Sequence, residues 1–265
     1  MIPGTQNEWR PWLAERASEL KVAMVFLTRL PLGRMAPAGA ASLAQAVWAF
    51  PLAGIIVGGI GAVVYALAHR IGLPPWPAAA LAVGATLTAT GALHEDGLAD
   101  TADGFGGGET REQKLAIMRD ARIGTYGVCA LVLSLLIRTG ALASLAEPGA
   151  VAAALIASHA GARAVMPVLM FFLAPARSDG LSYVAGAPSL ARTTAGLLIA
   201  AVILLITLGL VSTIAALVVL AIAAALMAGL SERQIGGQTG DVLGGAEQVA
   251  ETAILVLLAA RLAQP

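Results

Sequence analysis

The chain has 265 residues, of which 58% are hydrophobic and only 12% are charged, and its mean hydropathy is +0.83. Soluble domains carry about 25% charged residues, so this composition excludes a soluble globular protein and predicts lipid as the main solvent. The 16 basic and 16 acidic residues balance, which argues against bulk nucleic-acid binding. A single cysteine, Cys129, excludes a disulfide framework or a Cys-based metal site, and its apolar surroundings predict a small buried thiol.

Seven apolar stretches are long enough to cross a bilayer, which takes roughly 20 residues. They lie near residues 45–68, 76–93, 124–146, 149–173, 194–211, 213–230 and 249–263. Ser212 and Thr213 are the only break between the fifth and sixth, which predicts a tight helical hairpin. The run at 22–32 is too short to cross and is predicted to be interfacial or re-entrant. Gly54 and Gly58, four residues apart, predict close helix packing.

Basic residues are distributed unevenly between the loops. If the N-terminus is cytoplasmic, twelve Lys and Arg residues fall in inside segments and two in outside segments. The inside segments are 1–44, 94–123, 174–193 and 231–248. By the positive-inside rule, we predict an all-α polytopic membrane protein with about seven transmembrane helices. It forms one domain, residues 1–265, with a cytoplasmic or interfacial N-terminal segment (1–44) and two cytoplasmic catalytic loops (94–123 and 231–248).

An acidic segment follows the second span. Asp96, Asp100 and Asp103 stand at i, i+4 and i+7, so on a helix they share one face, with Glu95 off to one side. Crowded carboxylates beside lipid repel one another and are costly to desolvate, and a divalent cation would resolve that conflict. Oxygen-only ligands favour Mg²⁺, Mn²⁺ or Ca²⁺. Because Mg²⁺ usually binds through one or two carboxylates plus substrate phosphates, the cluster indicates a phosphorylated substrate.

The acidic segment leads into a glycine-rich stretch and a basic helix. The glycines within 104–108 predict an open, flexible loop. Residues 110–121 predict a helix that begins with a capping box of Thr110 and Gln113. Its basic residues are predicted to share one broad face, with Asp120 pointing away: Arg111, Lys114, Arg119 and Arg122. Either anionic lipid headgroups or a substrate phosphate explains such a face.

A second polar loop, residues 236–247, precedes the last span. It carries Asp241, and Glu247 and Glu251 follow one turn apart on the final helix. The loop is predicted to lie on the same membrane face as the acidic segment. It could therefore bring a further carboxylate to the metal or close over a substrate.

Four blocks of sequence occur in this order: Phe26-Leu-Thr-Arg-Leu-Pro31 with Phe50-Pro-Leu-Ala-Gly54, His94-Glu-Asp-Gly-Leu-Ala-Asp-Thr-Ala-Asp-Gly104, Ile117-Met-Arg-Asp-Ala-Arg-Ile-Gly-Thr-Tyr-Gly127, and Gly237-Gln-Thr-Gly-Asp-Val-Leu-Gly244. Together they cover nearly the whole chain. In content and order they resemble the cobalamin synthases, the adenosylcobinamide-GDP ribazoletransferases.

The resemblance implies a multi-pass enzyme of the bacterial inner membrane, with its active site facing the cytoplasm, that acts in the last steps of vitamin B12 assembly. Members of that family join adenosylcobinamide-GDP to α-ribazole, or to its 5′-phosphate, and release GMP, with Mg²⁺ or Mn²⁺ as the metal. The implied partners are these two small molecules and membrane lipid, without nucleic acid, and a homo-oligomer is left open.

The resemblance also carries residue roles onto matching positions. The predicted catalytic set is Asp96, Asp100, Asp103, Asp241, Arg119 and Arg122. The first three are predicted to hold the metal, and Asp241 is a candidate fourth ligand or general base. The two arginines are predicted to neutralise the diphosphate.

A second set is predicted to contact substrate: Arg29, His94, Asp120, Thr239, Glu251 and Arg163. His94 is also a candidate to hydrogen-bond a ligand carboxylate. Arg163, inside a span, is predicted to be functional or paired, whereas His159 is predicted to be a polar residue satisfied between helices. No role is predicted for Glu95 or Arg138.

Two other functions compete with this interpretation. Asp100-Thr-Ala-Asp-Gly104 partly matches the motif of CDP-alcohol phosphotransferases, but the Ala-Arg after the glycine and the trailing aspartates of that motif are absent. An ion-coupled transporter would also use acids within the membrane. The acids here stand at the end of a span, which disfavours that alternative.

Overall fold

The computed structural model describes residues 9–33 and 42–262. These residues are almost entirely helical, and the one strand-like pairing among them is an isolated bridge between Pro175 and Gln238. The helices are α1 (Trp9–Leu27), α2 (Leu43–Ala46), α3 (Phe50–Arg70), α4 (Pro75–Thr90), α5 (Leu93–Gly107), α6 (Arg111–Ile117), α7 (Thr125–Leu145), α8 (Pro148–Arg163), α9 (Val165–Phe172), α10 (Leu181–Ala185), α11 (Leu190–Ile235) and α12 (Gly240–Leu262). The all-α prediction is confirmed.

Several of these helices can cross a membrane. Within the described part of the chain, five segments are long and apolar enough: Leu43–Arg70, Thr125–Leu145, Pro148–Phe172, Leu190–Ile235 and Gly240–Arg261. The pair α4–α5, which bends by 91° at its break, passes the same test as a sixth. α1 does not pass it, in line with the prediction that the run at 22–32 does not cross.

α11 is a helical hairpin, although its 46 residues form one continuous segment. Leu204 and Leu220 would stand about 24 Å apart on a straight helix. Both nevertheless come within 3.6 Å of the Cβ position of Gly161 in α8. The reversal occurs at Gly209, whose φ of 72° suits glycine, and not at Ser212–Thr213 as predicted. With its two arms counted separately, the number of passes agrees with the predicted seven.

The centre of the bundle is the crossing of α3 and α8. A Cβ at Gly58 would lie 2.5 Å from the carbonyl oxygen of Leu155, and one at Gly54 would collide with the backbone of Ala160. The two backbones can approach this closely only because Gly54 and Gly58 carry no side chain on the α3 side of the contact. The prediction that Gly54 and Gly58 mediate close packing is confirmed.

The outer surface of the bundle is apolar. Large hydrophobic side chains on α7 and α11 are exposed, among them Val132, Leu133, Leu136, Leu198 and Ile206. In water such a surface would drive aggregation, so it indicates contact with lipid.

Cys129 lies on this exposed side of α7, and the prediction of a buried thiol is wrong. An apolar run in a membrane helix can equally face lipid.

The polar loops gather at one end of the bundle, here called the loop face. Arg111 in α6 donates through Nε to the carbonyl oxygen of Ile235 at 2.6 Å and through Nη2 to that of Ala176 at 2.5 Å. Arg192, at the start of α11, pairs with Glu19 of α1. The structure thus brings together segments 94–123, 174–193 and 231–248.

Two local predictions near this face are wrong. α5 continues to Gly107, where an open loop was predicted, because its glycines are packing sites. A Cβ at Gly104 would strike Met118, and one at Gly106 would lie 2.7 Å from the ring of Tyr126. α6 begins with the predicted capping box but ends at Ile117, short of the predicted residue 121.

Candidate active site

The candidate site forms where α5 crosses the start of α12. A Cβ at Gly97 would lie 2.7 Å from the carbonyl oxygen of Asp241, and one at Gly244 would lie 3.4 Å from the Cα of Gly97. Small residues on both helices therefore permit contact between the two backbones. That contact places Asp96, beside Gly97, and Asp241 on the wall of the same cavity.

This cavity, here called the α9 cavity, has a volume of about 330 Å³. Its wall is largely apolar, formed by Phe26, Phe50, Leu93, Met166, Met170 and Leu243. Its polar lining consists of His94, Asp96, Arg177, Ser182 and Asp241. Nη2 of Arg177 lies 3.5 Å from Oδ2 of Asp241. An apolar chamber with a few convergent polar groups is the usual form of a small-molecule site.

A second cavity, here called the α7 cavity, lies on the other side of α5 and measures about 550 Å³. Apolar residues of α4 and α7 line part of it, including Leu87, Leu131 and Leu135. Its polar lining consists of Glu95, Asp96, Asp100, Arg119 and Asp120. Of the described residues, Asp96 alone lines both cavities.

Asp103 lines neither of these cavities. Its Oδ2 accepts a hydrogen bond from the backbone N–H of Gly124 at 2.6 Å, and its Oδ1 accepts one from Gly127 at 2.8 Å. These N–H groups belong to the N-terminal end of α7, where they lack partners within the helix. The carboxylate therefore caps α7, and its predicted role as a metal ligand stays a prediction.

The basic residues beyond α5 do not share one face. Because α6 ends early, Arg119 turns to pair with Asp179, and Arg122 donates to Asp120 through both Nε (3.0 Å) and Nη2 (2.7 Å). These hydrogen bonds lower the pKa of Asp120 to about 2. The predicted common basic face, with Asp120 pointing away, is wrong. Of the two predicted diphosphate-binding arginines, Arg119 lines the α7 cavity and Arg122 lines neither.

Two residues that were predicted to contact substrate, Arg29 and Thr239, make contacts with nearby parts of the chain. Arg29 packs over Gly91 at the bend between α4 and α5, and its backbone N–H donates to the carbonyl oxygen of Ala89 at 2.7 Å. Thr239 is fully buried, and its hydroxyl donates to Oδ2 of Asp241 at 3.2 Å. Neither residue lines a cavity, but Thr239 orients a carboxylate that does.

The remaining predicted contacts, His94, Arg163 and Glu251, belong to a buried polar network below the site. Arg163 Nη1 lies 2.8 Å from Glu247 Oε1, and His94 Nδ1 lies 3.3 Å from Glu247 Oε2. His159 Nδ1 lies 3.1 Å from Glu251 Oε2. Arg163 is therefore paired, as predicted, whereas His159 is satisfied only in part, because its buried Nε2 has no hydrogen-bond partner among the described residues.

Arg138 joins a second part of this network. Its Nη1 lies 3.1 Å from Glu95 Oε1, 3.0 Å from Glu251 Oε1 and 2.7 Å from Gln248 Oε1. The network links α5, α7, α8 and α12, and Arg138 is only 1% exposed. Because an unpaired charge in this setting is very costly, the network holds α5 and α12 in one arrangement.

One trio in the network has metal-ligand spacing. Ligand atoms of His159, Glu247 and Glu251 lie within 4.8 Å of one another, the only such group in the described ranges. Guanidinium groups of Arg163 and Arg138 already contact both carboxylates. The positive charge that a cation would supply is therefore present, and we assign no metal there.

Comparison with known proteins identifies the family. The cobalamin-5-phosphate synthase family matches residues 19–259. The adenosylcobinamide-GDP ribazoletransferase of Bradyrhizobium diazoefficiens is 49% identical over 260 residues, which cover 98% of both chains. That of Mesorhizobium japonicum is 52% identical over 239 residues, 90% of this chain and 92% of the relative. No solved structure matches. The chain belongs to the cobalamin-5-phosphate synthase family.

As a member of the cobalamin-5-phosphate synthase family, the chain is a transferase of cobalamin biosynthesis.

The sequence did not predict that Arg138, Glu95 and Glu247 form a connected set, and it did not single out Arg177. A signal for the network was present, because an arginine within an apolar span requires a counter-charge. No comparable signal marks Arg177, which reaches Asp241 only through the folded chain.

Proposed function

We propose that this protein is a Mg²⁺-dependent adenosylcobinamide-GDP ribazoletransferase. It transfers the adenosylcobinamide phosphate group to α-ribazole, or to α-ribazole 5′-phosphate, and releases GMP. The observation that carries the proposal is the position of Asp96 between two cavities. A reaction that joins two separately bound molecules needs such a junction, with acidic groups on either side. The names of the relatives support the choice of substrates.

The donors at the junction are of the chemical type that binds Mg²⁺, although the oxygens of the three carboxylates do not all lie within 4.8 Å of one another. Asp96 and Asp100 stand one turn apart on α5, and Asp241 meets Asp96 on the wall of the α9 cavity. All are carboxylates, the ligand type that hard divalent cations prefer, and one or two suffice when substrate phosphates complete the shell. Asp96 and Asp100 therefore serve as the ligands, and Asp241 remains available as the general base. When bound, the ion supplies neutralisation of charge on the reacting diphosphate.

The residues of the junction account for the rest of the chemistry. The ribose 3′-oxygen forms a bond to the phosphorus that carries the cobinamide, the bond from that phosphorus to the bridging oxygen breaks, and GMP leaves with that oxygen. Asp241, oriented by Thr239, takes the hydroxyl proton. Arg177 and Arg119, one in each cavity, bind phosphate oxygens and hold the reacting groups in line.

We place the enzyme in the bacterial inner membrane with the loop face toward the cytoplasm. The twelve basic residues of the inside segments support this orientation. Nucleotide-linked substrates are made in the cytoplasm, so the loop face would meet them directly.

The test is product formation by purified protein in detergent. With adenosylcobinamide-GDP, α-ribazole and Mg²⁺ present, we expect GMP release that requires both substrates, stops with EDTA and returns with added Mg²⁺. Release of CMP from a CDP-alcohol, or counterflow in proteoliposomes without formation of a new bond, would support one of the competing functions instead. GMP release that is unchanged by EDTA would contradict the metal assignment alone.

A further inference from the structure

The two cavities differ in the chemistry of their walls. The α7 cavity is bordered by three aspartates and by Arg119. The α9 cavity has one apolar wall, where the stacked rings of Phe26 and Phe50 have centroids 6.4 Å apart and an interplanar angle of 24°. Met166 and Met170 add flexible thioether side chains to that wall. Aromatic rings and methionine sulfurs form favourable contacts with a flat aromatic ligand.

Arg177 provides a second, independent indication of a ligand. Its side chain is only 16% exposed, yet within the described residues its buried Nη1 has no hydrogen-bond acceptor, and its Nε has only the Asp179 carboxylate at 3.6 Å, beyond hydrogen-bond distance. Leaving a buried donor without a hydrogen bond costs about 1–3 kcal/mol per group. A ligand that presents hydroxyl or phosphate oxygens to this end of the cavity would satisfy them.

Size separates the two substrates of the proposed reaction. A corrin ring with its adenosyl group and amide side chains is far larger than a chamber of about 330 Å³. α-Ribazole is a dimethylbenzimidazole joined to a ribose, a flat apolar ring system with one polar end. That division matches the apolar wall and the cluster of Asp96, Arg177 and Asp241.

We infer, on the basis of the proposed function, that the α9 cavity is the binding site for α-ribazole. The benzimidazole ring lies against Phe26, Phe50 and the methionines of α9. The ribose points toward Asp96 and Asp241, with Arg177 bound to a ribose or 5′-phosphate oxygen. The nucleotide-linked corrinoid is too large for either cavity, so only its diphosphate end enters the α7 cavity, where the 3′-hydroxyl meets the phosphorus beside Asp96.

Protection of introduced cysteines from N-ethylmaleimide tests this assignment. In a Cys129→Ser background, Leu181→Cys reports on the α9 cavity and Ala121→Cys on the α7 cavity, since each residue is exposed and lines one of them. Variants that unfold at the wild-type temperature are labelled with and without α-ribazole. At ten times its Kd, bound ligand lowers the free fraction about tenfold. We expect α-ribazole to slow labelling of Leu181→Cys by about this factor and to leave Ala121→Cys unchanged.

Substitutions that fill one cavity with a larger side chain provide a second test, in which the KM of each substrate is measured. Met166→Trp should raise the KM for α-ribazole about tenfold or more, which corresponds to about 1.4 kcal/mol, and leave the KM for adenosylcobinamide-GDP unchanged. Leu131→Trp, the matched change in the α7 cavity, should do the reverse.

The outcomes separate the two proposals. Protection of Ala121→Cys alone by α-ribazole, or of neither cysteine, overturns the subsite even if the wild-type protein releases GMP. Protection of Leu181→Cys by α-ribazole in a protein that forms no GMP supports the subsite and contradicts the proposed function.

Discussion

Asp100 is the carboxylate that most directly tests the metal assignment, because it lines the α7 cavity one turn after Asp96. Asp100→Asn keeps the shape of the side chain and removes its charge. We expect the rate of GMP release to fall about 100-fold or more, as for loss of one preorganised electrostatic contact in an active site, with an unchanged unfolding temperature. Glu109→Gln, an exposed acid just before α6, is the matched control. Equal rates for wild type and Asp100→Asn would show that Asp100 is not a ligand.

Asp103 should behave differently although it belongs to the same sequence motif. Asp103→Ala removes the acceptor for the N–H groups of Gly124 and Gly127. We expect a loss of about 1–2 kcal/mol in stability, typical of a lost helix cap, measured by thermal unfolding in detergent. Calorimetry should show that Mg²⁺ still binds in the presence of adenosylcobinamide-GDP. Loss of Mg²⁺ binding at full stability would restore Asp103 to the ligand set.

These aspartates show what sequence can predict at the level of single residues. The spacing of Asp96, Asp100 and Asp103 places them on one helix, and the structure agrees. Their partners, however, come from distant parts of the chain, as with Asp103 and Gly124 or Arg177 and Asp241. Helical periodicity describes neighbours within one element and contains no information about contacts between elements.

At the level of elements, the contact between α5 and α12 determines the geometry of the site. In Gly97→Ala the new methyl group would lie 2.7 Å from the Asp241 carbonyl oxygen, so the helices must separate. Because a misplacement of about 1 Å can cost about 100-fold in rate, we expect GMP release to fall by that order. Gly84→Ala in α4, which meets nothing within 4 Å, is the control and should retain activity. Full activity of Gly97→Ala would mean that the spacing of these helices does not matter.

The network around Arg138 should stabilise the same pair of helices. Arg138→Met leaves Glu95 and Glu251 without their shared partner. Breaking a buried pair on one side costs about 3–5 kcal/mol, and we expect a correspondingly lower unfolding temperature. Adding Glu95→Leu should restore part of the loss, because one uncompensated carboxylate disappears. Arg70→Met, an exposed residue at the end of α3, should change stability by less than about 0.5 kcal/mol.

The positions of the helices could be predicted where the hydrophobicity of the sequence determines them. Apolar length located the spans and the α11 hairpin, since a membrane imposes a minimum helix length. The glycine-rich end of α5 was mispredicted because glycine is a poor helix former. Contacts of Gly104 with Met118 and of Gly106 with Tyr126 outweigh that preference in the folded chain.

At the scale of the whole molecule, the bundle separates an apolar surface that contacts lipid from one end that carries the polar loops. The apolar exterior of α7 and α11 requires lipid, while the polar loops converge above the two cavities at one end. The bundle therefore exposes its chemistry on a single face. The membrane-spanning helices form the support for that face.

The orientation of that face can be tested with single cysteines in a Cys129→Ala background. Glu109→Cys lies on the loop face, and Ile71→Cys lies in the turn between α3 and α4, 78% exposed, at the opposite end of the bundle. Because twelve basic residues fall in the sequence segments predicted to be inside and two in those predicted to be outside, the positive-inside rule predicts that Glu109 lies in the cytoplasm. A membrane-impermeant maleimide should therefore label Ile71→Cys in intact cells with a permeabilised outer membrane, and Glu109→Cys only in inverted inner-membrane vesicles. The reverse pattern would place the candidate active site on the periplasmic side, away from its nucleotide substrate.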